Sequence, residues 1–490
     1  MAFWTTAMLL ALRLAWPLGM VAAGSAVGDG THEVLEGFSC TAEGAGAWTP
    51  MAGSPPVSVA RVADRVAFKM PCHFRGTDID RASWDHAIDQ DLSMCQGLEF
   101  LFYCSDLSPV SSFTVYLHSG DGWYRGNFDA PGARQWTSVR IAKSAMHVEG
   151  RPGGWSQIDK IRISAWRGLD RDTVFYVTDF SLFGTDAGIV VIRGDSAADR
   201  SPDELNAVRQ YTNVMSAFLD RACLSHLVLG DLDVTAERLK DTDVVILPHN
   251  PSMPETVARE LSGFLQSGGK LLACYHLPES LEPVVGIRGG RHIRQPHSGY
   301  FASIRPGDEP LRDMPPITRQ ASWNVHEASA TGAGARVVAW WYTNEGRPTG
   351  TPAILAGENA VYLSHVLLSD DPTNKLQLLL SMLGHLVPEL WSEAAQGSLE
   401  RIGRFGPYPD YETARQAIVE LAEGTENALA ALARASERRR QGFSLLSENR
   451  FAEAMHAAED AHGIMIEAYC LAQKPVAGEH RAFWLSLIHI

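Results

Sequence analysis

Positive charge is in short supply in this chain: 42 Lys and Arg stand against 57 Asp and Glu, for a formal net charge of −15. Such a balance repels a polyanion unless cations are gathered, and the one dense cluster, Arg438-Arg439-Arg440, falls inside a helical pattern. The composition therefore argues against nucleic-acid binding. Long hydrophobic runs are missing beyond the N-terminus, so no later segment reads as a transmembrane helix. Cysteine is sparse, at 7 residues, with no C-x-x-C pair or His/Cys spacing of the zinc type, and its usage indicates no structural metal. Cys40, Cys72, Cys95 and Cys104 fall in one region and could pair, whereas Cys223, Cys274 and Cys470 sit in apolar patterns as small hydrophobes. Repeats and low-complexity tracts are also lacking.

What is there is an ordinary globular composition, 45% hydrophobic and 20% charged over 490 residues. That length accommodates roughly three domains of about 150 residues. Residues 1–26 read as an export signal. Arg13 precedes an apolar stretch from Leu14 to Ala23, and small residues follow where a peptidase would cut. The expected location is secreted or periplasmic, with no membrane attachment after cleavage; a buried N-terminal helix is the alternative.

From 32 to 185 the pattern is one of short strands and turns. LEFLFY, SSFTVYLH, WTSVRIA, DKIRISAW and TVFYVTDFSLFG alternate with period two between Gly, Pro, Asp and Ser clusters, which predicts an all-β sandwich. Phe113, Val115 and Leu117 make one apolar face, as do Ile161, Ile163 and Ala165. The opposite face is polar but carries aromatics, with Tyr116, Arg162 and Trp166 on the strands and Trp123 and Tyr124 read as a loop pair. Flat rings stack on the C–H faces of sugars while charged groups bond the hydroxyls, so this face is a candidate saccharide surface. A solvated outer sheet with incidental aromatics is the other reading. The stretches GWYRGNF, QWTSVRI, GGWSQIDKIRISAW and FYVTDFSLFG resemble carbohydrate-binding jelly rolls of the galactose-binding type. That resemblance implies a structural calcium near the closing strand, at Asp179; no other cofactor is expected.

At Ile189 the period changes. IVVIRGD is a continuous apolar strand, and Ser201-Pro202-Asp203-Glu204 is a capping box that opens a helix to about Arg221. HLVLGD, a helix at TAERLKD, the strand DVVILPHN, a helix at ETVARELSGFLQSGG and the strand KLLACYHL follow, with a terminal helix at KLQLLLSMLGHLVPEL. Alternating strands and helices predict a doubly wound α/β domain over 188–391. This order, with GGKLLACYHLPESLEPVVGI, resembles the class I glutamine amidotransferase-like fold, in which a strand runs into a nucleophile elbow. Cys274 falls inside the strand here, without flanking glycine, and the elbow position falls nearer His276. His249 and Asn250 come at a strand's carboxyl end, where such sheets bind ligands, although a loop role is the plainer reading. The domain is therefore expected to be structural, with Cys274 or His276 as the alternative catalytic residues.

Residues 396–473 read as an α-helical hairpin. One stripe runs through Ile418, Leu421, Thr425, Ala428, Leu432 and Ala435, the other through Phe451, Ala454, Ala458, Ala461, Met465 and Ala468. Small residues at the seam favour close packing over a cofactor site, and the oligomeric state stays open. A Pro/Gly linker then leads into GEHRAFWLSLIHI. The order of jelly roll, amidotransferase-like domain, hairpin and G-E-x-R-A-x-W strand resembles the N-terminal half of glycosyl-hydrolase-like family 10 proteins. In that family the R-A-x-W strand opens a (β/α)₈ barrel that carries the catalytic acids. The resemblance implies that 478–490 is a truncated first barrel strand, with Trp484 near its last genuine residue, and that this chain carries no catalytic residue. The expected function is carbohydrate binding and scaffolding for a secreted glycoside hydrolase, with a poly- or oligosaccharide as partner. The alternative is a self-contained amidotransferase-like or sugar-processing hydrolase in 188–391.

Overall fold

The computed structural model describes residues 32–473, apart from 52, 131, 200, 333 and 423–424. The expected signal peptide at 1–26 and barrel strand at 478–490 lie outside the described residues.

Alternating apolar residues build a sandwich of two antiparallel sheets. The first holds β1 (His32–Val34), β3 (Ser58–Val62), β4 (Arg65–Cys72), β6 (Gly97–Cys104), β9 (Thr137–Ala142) and β12 (Thr173–Phe183), ordered β3-β4-β12-β6-β9 with β1 on β12. The second holds β2 (Trp48–Pro50), β5 (Arg81–Gln90), β7 (Val110–Ser119), β8 (Asp121–Phe128), β10 (His147–Arg151) and β11 (Ile158–Arg167), ordered β10-β8-β7-β11-β5-β2. A short helix, α1 (Ala42–Gly46), is capped by the Thr41 hydroxyl. Phe113, Val115, Leu117, Ile161, Ile163 and Ala165 are all buried between the sheets, as their period demands. None of the seven cysteines pairs. Cys40 packs its thiol against Thr178, and Cys95 and Cys104 donate to the carbonyls of Leu92 and Asp106, so the expected pairing within this group is not formed.

The second domain is built on a nine-stranded sheet. β13 (Ile189–Arg193), β14 (Leu227–Gly230), β15 (Val244–Leu247), β16 (Lys270–Cys274) and β23 (Ala360–Leu363) run parallel in the order β14-β13-β15-β16-β23. Beyond β23 the sheet continues antiparallel through β22 (Pro348–Ala356), β21 (Arg336–Tyr342), β18 (Phe301–Pro306) and β19 (Thr318–Ser322). A ribbon of β17 (Ile287–Arg294) and β20 (Asn324–Ala330) lies apart from it. The helices are α2 (Pro202–Arg221), α3 (Glu255–Gln266), the single turn α4 (Glu282–Val285) and α5 (Pro372–Leu386). Parallel strands covered on both faces read as unbroken apolar runs, and β13 to β16 do so. The expected helix at TAERLKD is instead a series of turns after Asp233, too short to propagate once Thr235 has bonded locally to Arg238 N. KLQLLLSMLGHLVPEL is likewise split: Pro388 lacks the N–H that would continue α5, and α6 (Glu389–Glu400) starts after it.

The C-terminal helices are α7 (Tyr411–Ala422), α8 (Glu426–Ser447) and α9 (Phe451–Ala472). The stripe read from Ile418 to Ala435 belongs to two helices, and Leu421 is 40% exposed, off the seam. Thr425, a weak helix former, stands at the start of the second of them. The turn through Glu448 and Asn449 joins α8 to α9, whose alanines are buried against it.

The sandwich is locked to the α/β domain by buried charge. Trp155 donates its indole N–H to Asp195 at 2.9 Å and its backbone N–H to Asp233 at 2.6 Å. Arg193 pairs with Asp195 at 2.8 Å and donates to the carbonyls of Lys143 and Met146. Lys143 caps the carbonyls of Leu92, Ser93 and Cys95 and lies 4.9 Å from the Trp155 ring centre. Each buried charge thus has a counter-charge or a set of dipoles, the condition on which such burial is tolerated.

Candidate functional site

Two surfaces gather chemistry. The first is the outer face of the second sandwich sheet. Cross-strand register places Arg162 of β11 beside Tyr116 of β7 and Asp85 of β5, and His118 of β7 beside Trp123 of β8. Arg162 forks onto Asp85 with bonds of 2.6 and 2.9 Å, and its guanidinium lies 4.5 Å from the Trp123 ring centre. Arg81 lies 4.8 Å from the ring centre of Trp166, which donates its N–H to Thr114 at 3.1 Å. His118 holds Asp159 at 2.6 Å. The outcome is a paved sheet face in which indole rings alternate with fixed ionic pairs, each ring oriented by a cation or a hydrogen bond.

Of the residues expected there, Tyr116, Trp123, Arg162 and Trp166 do share this face. Tyr124 does not. Trp123 and Tyr124 belong to strand β8 and not to a loop, so alternation sends Tyr124 inward, where it is 0% exposed and stacked on Trp155 with ring centres 3.7 Å apart. Arg81 and Asp85 complete the face, and their strand RASWDHAIDQ carries no period-two signal as clear as that of its neighbours to mark them. Asp179, the expected calcium ligand, sits at a bulge of β12 with φ 56° and gives its carboxylate to Arg65 at 2.9 Å. A cation is already in place there, and no group of three or more His, Cys, Asp or Glu able to hold a metal occurs among the described residues.

The second surface is a cleft of about 410 Å³ at the carboxyl ends of β15, β16 and β23. His249 follows β15, Tyr275 and His276 follow β16, and His365 follows β23. The first turn of α2 contributes Glu204, whose carboxylate accepts from His249 Nε2 at 3.0 Å. Ser201 caps that turn through the Glu204 N–H, so the capping box is half made and its acidic member is turned to the cleft. Burial holds the His249 imidazole below its usual pKa, with Glu204 opposing, and burial pushes His365 down to about 4. Both rings are therefore neutral near pH 7.

Cys274 is not available to this cleft. It is the last residue of β16, 0% exposed, and burial pushes its thiol up to about 12. Nor does His276 occupy the elbow position. The residue in the left-handed region is Tyr275, with φ 67°, held in a γ-turn by a 2.8 Å bond from His276 N to Cys274 O. The Tyr362 hydroxyl donates to the Tyr275 carbonyl and Tyr275 N donates to Leu363 O, each at 2.8 Å. A non-glycine residue in that conformation persists only where its surroundings over-determine it, and such strain clusters at functional sites. His276 lines the cleft beside it, with its ring centre 5.3 Å from that of His249.

No known protein family matches the chain, and no curated protein does. Among solved structures it is similar to the β-galactosidase of Rahnella sp. R3, with 18% identity and a TM-score of 0.32 over 42% of this chain and 31% of that one. It is also similar to a ThuA-like protein from Bacteroides uniformis, with 10% identity and a TM-score of 0.32 over 41% of this chain and 90% of that one. A family 11 carbohydrate-binding module of a cellulosomal cellulase from Clostridium thermocellum matches at 14% identity and a TM-score of 0.25 over 32% of this chain and 96% of that one, and a structure of such a module in complex with a mixed-linked tetrasaccharide at 14% identity and 0.24 over 31% and 95%. The match spans about a third of the galactosidase's length. These values are too low to carry an activity across.

Proposed function

We propose that this chain is the glycan-binding and scaffolding region of an exported glycoside hydrolase acting on poly- or oligosaccharide, with hydrolysis assigned to a barrel outside the described residues. The observation that carries the reading is the outer sheet face, where Trp123, Trp166 and Tyr116 are interleaved with Arg81, Arg162 and Asp85. Indoles held against guanidinium groups offer a sugar both C–H stacking on the open ring face and hydroxyl partners at little ordering cost, since Arg162 and Asp85 are already paired. The proposal extends the resemblance to glycosyl-hydrolase-like family 10, and export is part of it.

A glycan array read with the whole chain and with Trp166→Ala and Trp123→Ala tests it. Loss of one stacked ring is expected to weaken binding by about 1–3 kcal/mol. Equal binding by all three proteins would remove this face from the function.

A further inference from the structure

The α/β domain carries a cleft that scaffolding does not require. It stands where open parallel sheets bind ligands, and it is framed by a strained γ-turn at Tyr275 whose conformation is fixed by Tyr362 and Leu363. His249 is buried, with its Nε2 committed to Glu204, and its Nδ1 has no hydrogen-bond partner. A buried imidazole nitrogen left without a partner costs free energy unless something supplies a donor. The hydroxyl-bearing Tyr211 and Tyr275 stand beside it, with ring centres 5.4 and 6.0 Å from that of His249. Trp323, a large apolar ring that is 47% exposed, forms another part of the wall.

The charge of the lining narrows the ligand class. Among the described residues no Lys or Arg lines the cleft, and the one carboxylate among them, Glu204, is engaged by His249. A phosphate or sugar acid would enter without a counter-charge, which costs more than its hydrogen bonds return. Nor do three metal-ligating side chains converge among the described residues. Imidazole and phenol groups around an exposed indole, in a space of about 410 Å³, suit a small neutral ring bearing hydroxyls.

We propose that this cleft is a second ligand site, which takes a neutral, hydroxyl-rich ligand of mono- or disaccharide size, with His249, aligned by Glu204, accepting a ligand hydroxyl and Trp323 stacking on its ring. The site is separate from the sandwich face and does not rest on it.

Isothermal titration of the whole chain with a panel of neutral mono- and disaccharides tests the site, with the matching sugar phosphates and zinc chloride as comparison arms. A neutral sugar is expected to bind to the whole chain carrying Trp166→Ala, which removes the sandwich-face ring, and the affinity measured on that background to fall about tenfold in each of Glu204→Gln and Trp323→Ala. Trp323 is at the surface, so its variant separates loss of the ligand from loss of the fold. No heat from any neutral sugar would overturn the proposal. Tighter binding of the phosphates or of zinc would do the same, as would affinities indifferent to both cleft variants. Loss of binding in Trp166→Ala alone would return the sugar to the sandwich face.

Discussion

Single residues decide more of this molecule's chemistry than its elements do. Cys274 and Tyr275 are neighbours, yet one closes a strand with a sealed thiol and the other takes the strained turn that faces the cleft. Thiol alkylation distinguishes them from an active cysteine enzyme: Cys470, which is exposed, is expected to react in the folded chain, and Cys274 only on unfolding. Labelling of Cys274 at the rate of Cys470 would show that β16 opens. The same scale shows where the sequence was opaque. Period two is legible along SSFTVYLH and DKIRISAW, so the inward residues were plain. GWYRGNF has glycines on both sides of its aromatics, and this disguised β8 as a loop and Tyr124 as a surface ring. Glu204, His249, Tyr275 and His365 lie far apart in the chain and meet only because three strands end at one edge of the sheet, and no local pattern records that.

Among the elements, the C-terminal helices test how close packing is enforced. Gly442 of α8 lies where an added Cβ would stand 2.5 Å from Leu399 Cδ2 and 3.4 Å from Ala457 Cβ, so α6, α8 and α9 meet at a point that takes a side chain only if Leu399 gives way. Gly463 of α9 has nothing within 4 Å of the same position. Gly442→Leu is expected to lower stability by about 1–3 kcal/mol through overpacking. Gly463→Ala is expected to raise it by about 0.5–1 kcal/mol, because the helical backbone loses less entropy on folding. Chemical denaturation of the two variants checks both signs, and equal shifts would mean that the seam is loose. Alanine stripes made this packing readable from the sequence. The break after α7 was not, because a stripe of the right period continues in register across it.

For the molecule as a whole, the buried charges between the sandwich and the α/β domain set a dependence on pH. Burial, then the neighbouring Asp195, pushes the Asp231 carboxyl up to about 7, while its Oδ1 accepts from Ser196 N at 2.9 Å. In the unfolded chain such a group titrates near 3.9. Between about pH 4 and pH 7 the folded chain keeps a proton that the unfolded chain has released, so this contribution falls as pH rises through that window and is level above it. Asp231→Asn mimics the protonated form and lacks the titration. The stability of the variant relative to wild type is therefore expected to grow from pH 5 to pH 8 by about 2.6 kcal/mol, since about two of the three pH units of the shift fall inside that range. Thermal denaturation across that range checks it, and a constant difference would mean that Asp231 is ionised throughout.

The seat of Trp155 has a practical consequence for anyone dissecting this protein. Its indole and backbone N–H groups are satisfied by two aspartates that belong to the other domain. An excised sandwich would surrender those acceptors and lay open an indole, while the severed α/β half would keep Asp195 on Arg193 but leave Asp233 without the Trp155 and Ser156 donors. Recombinant halves would stick to surfaces and to one another, and sugar affinities recorded on them would describe the cut rather than the protein.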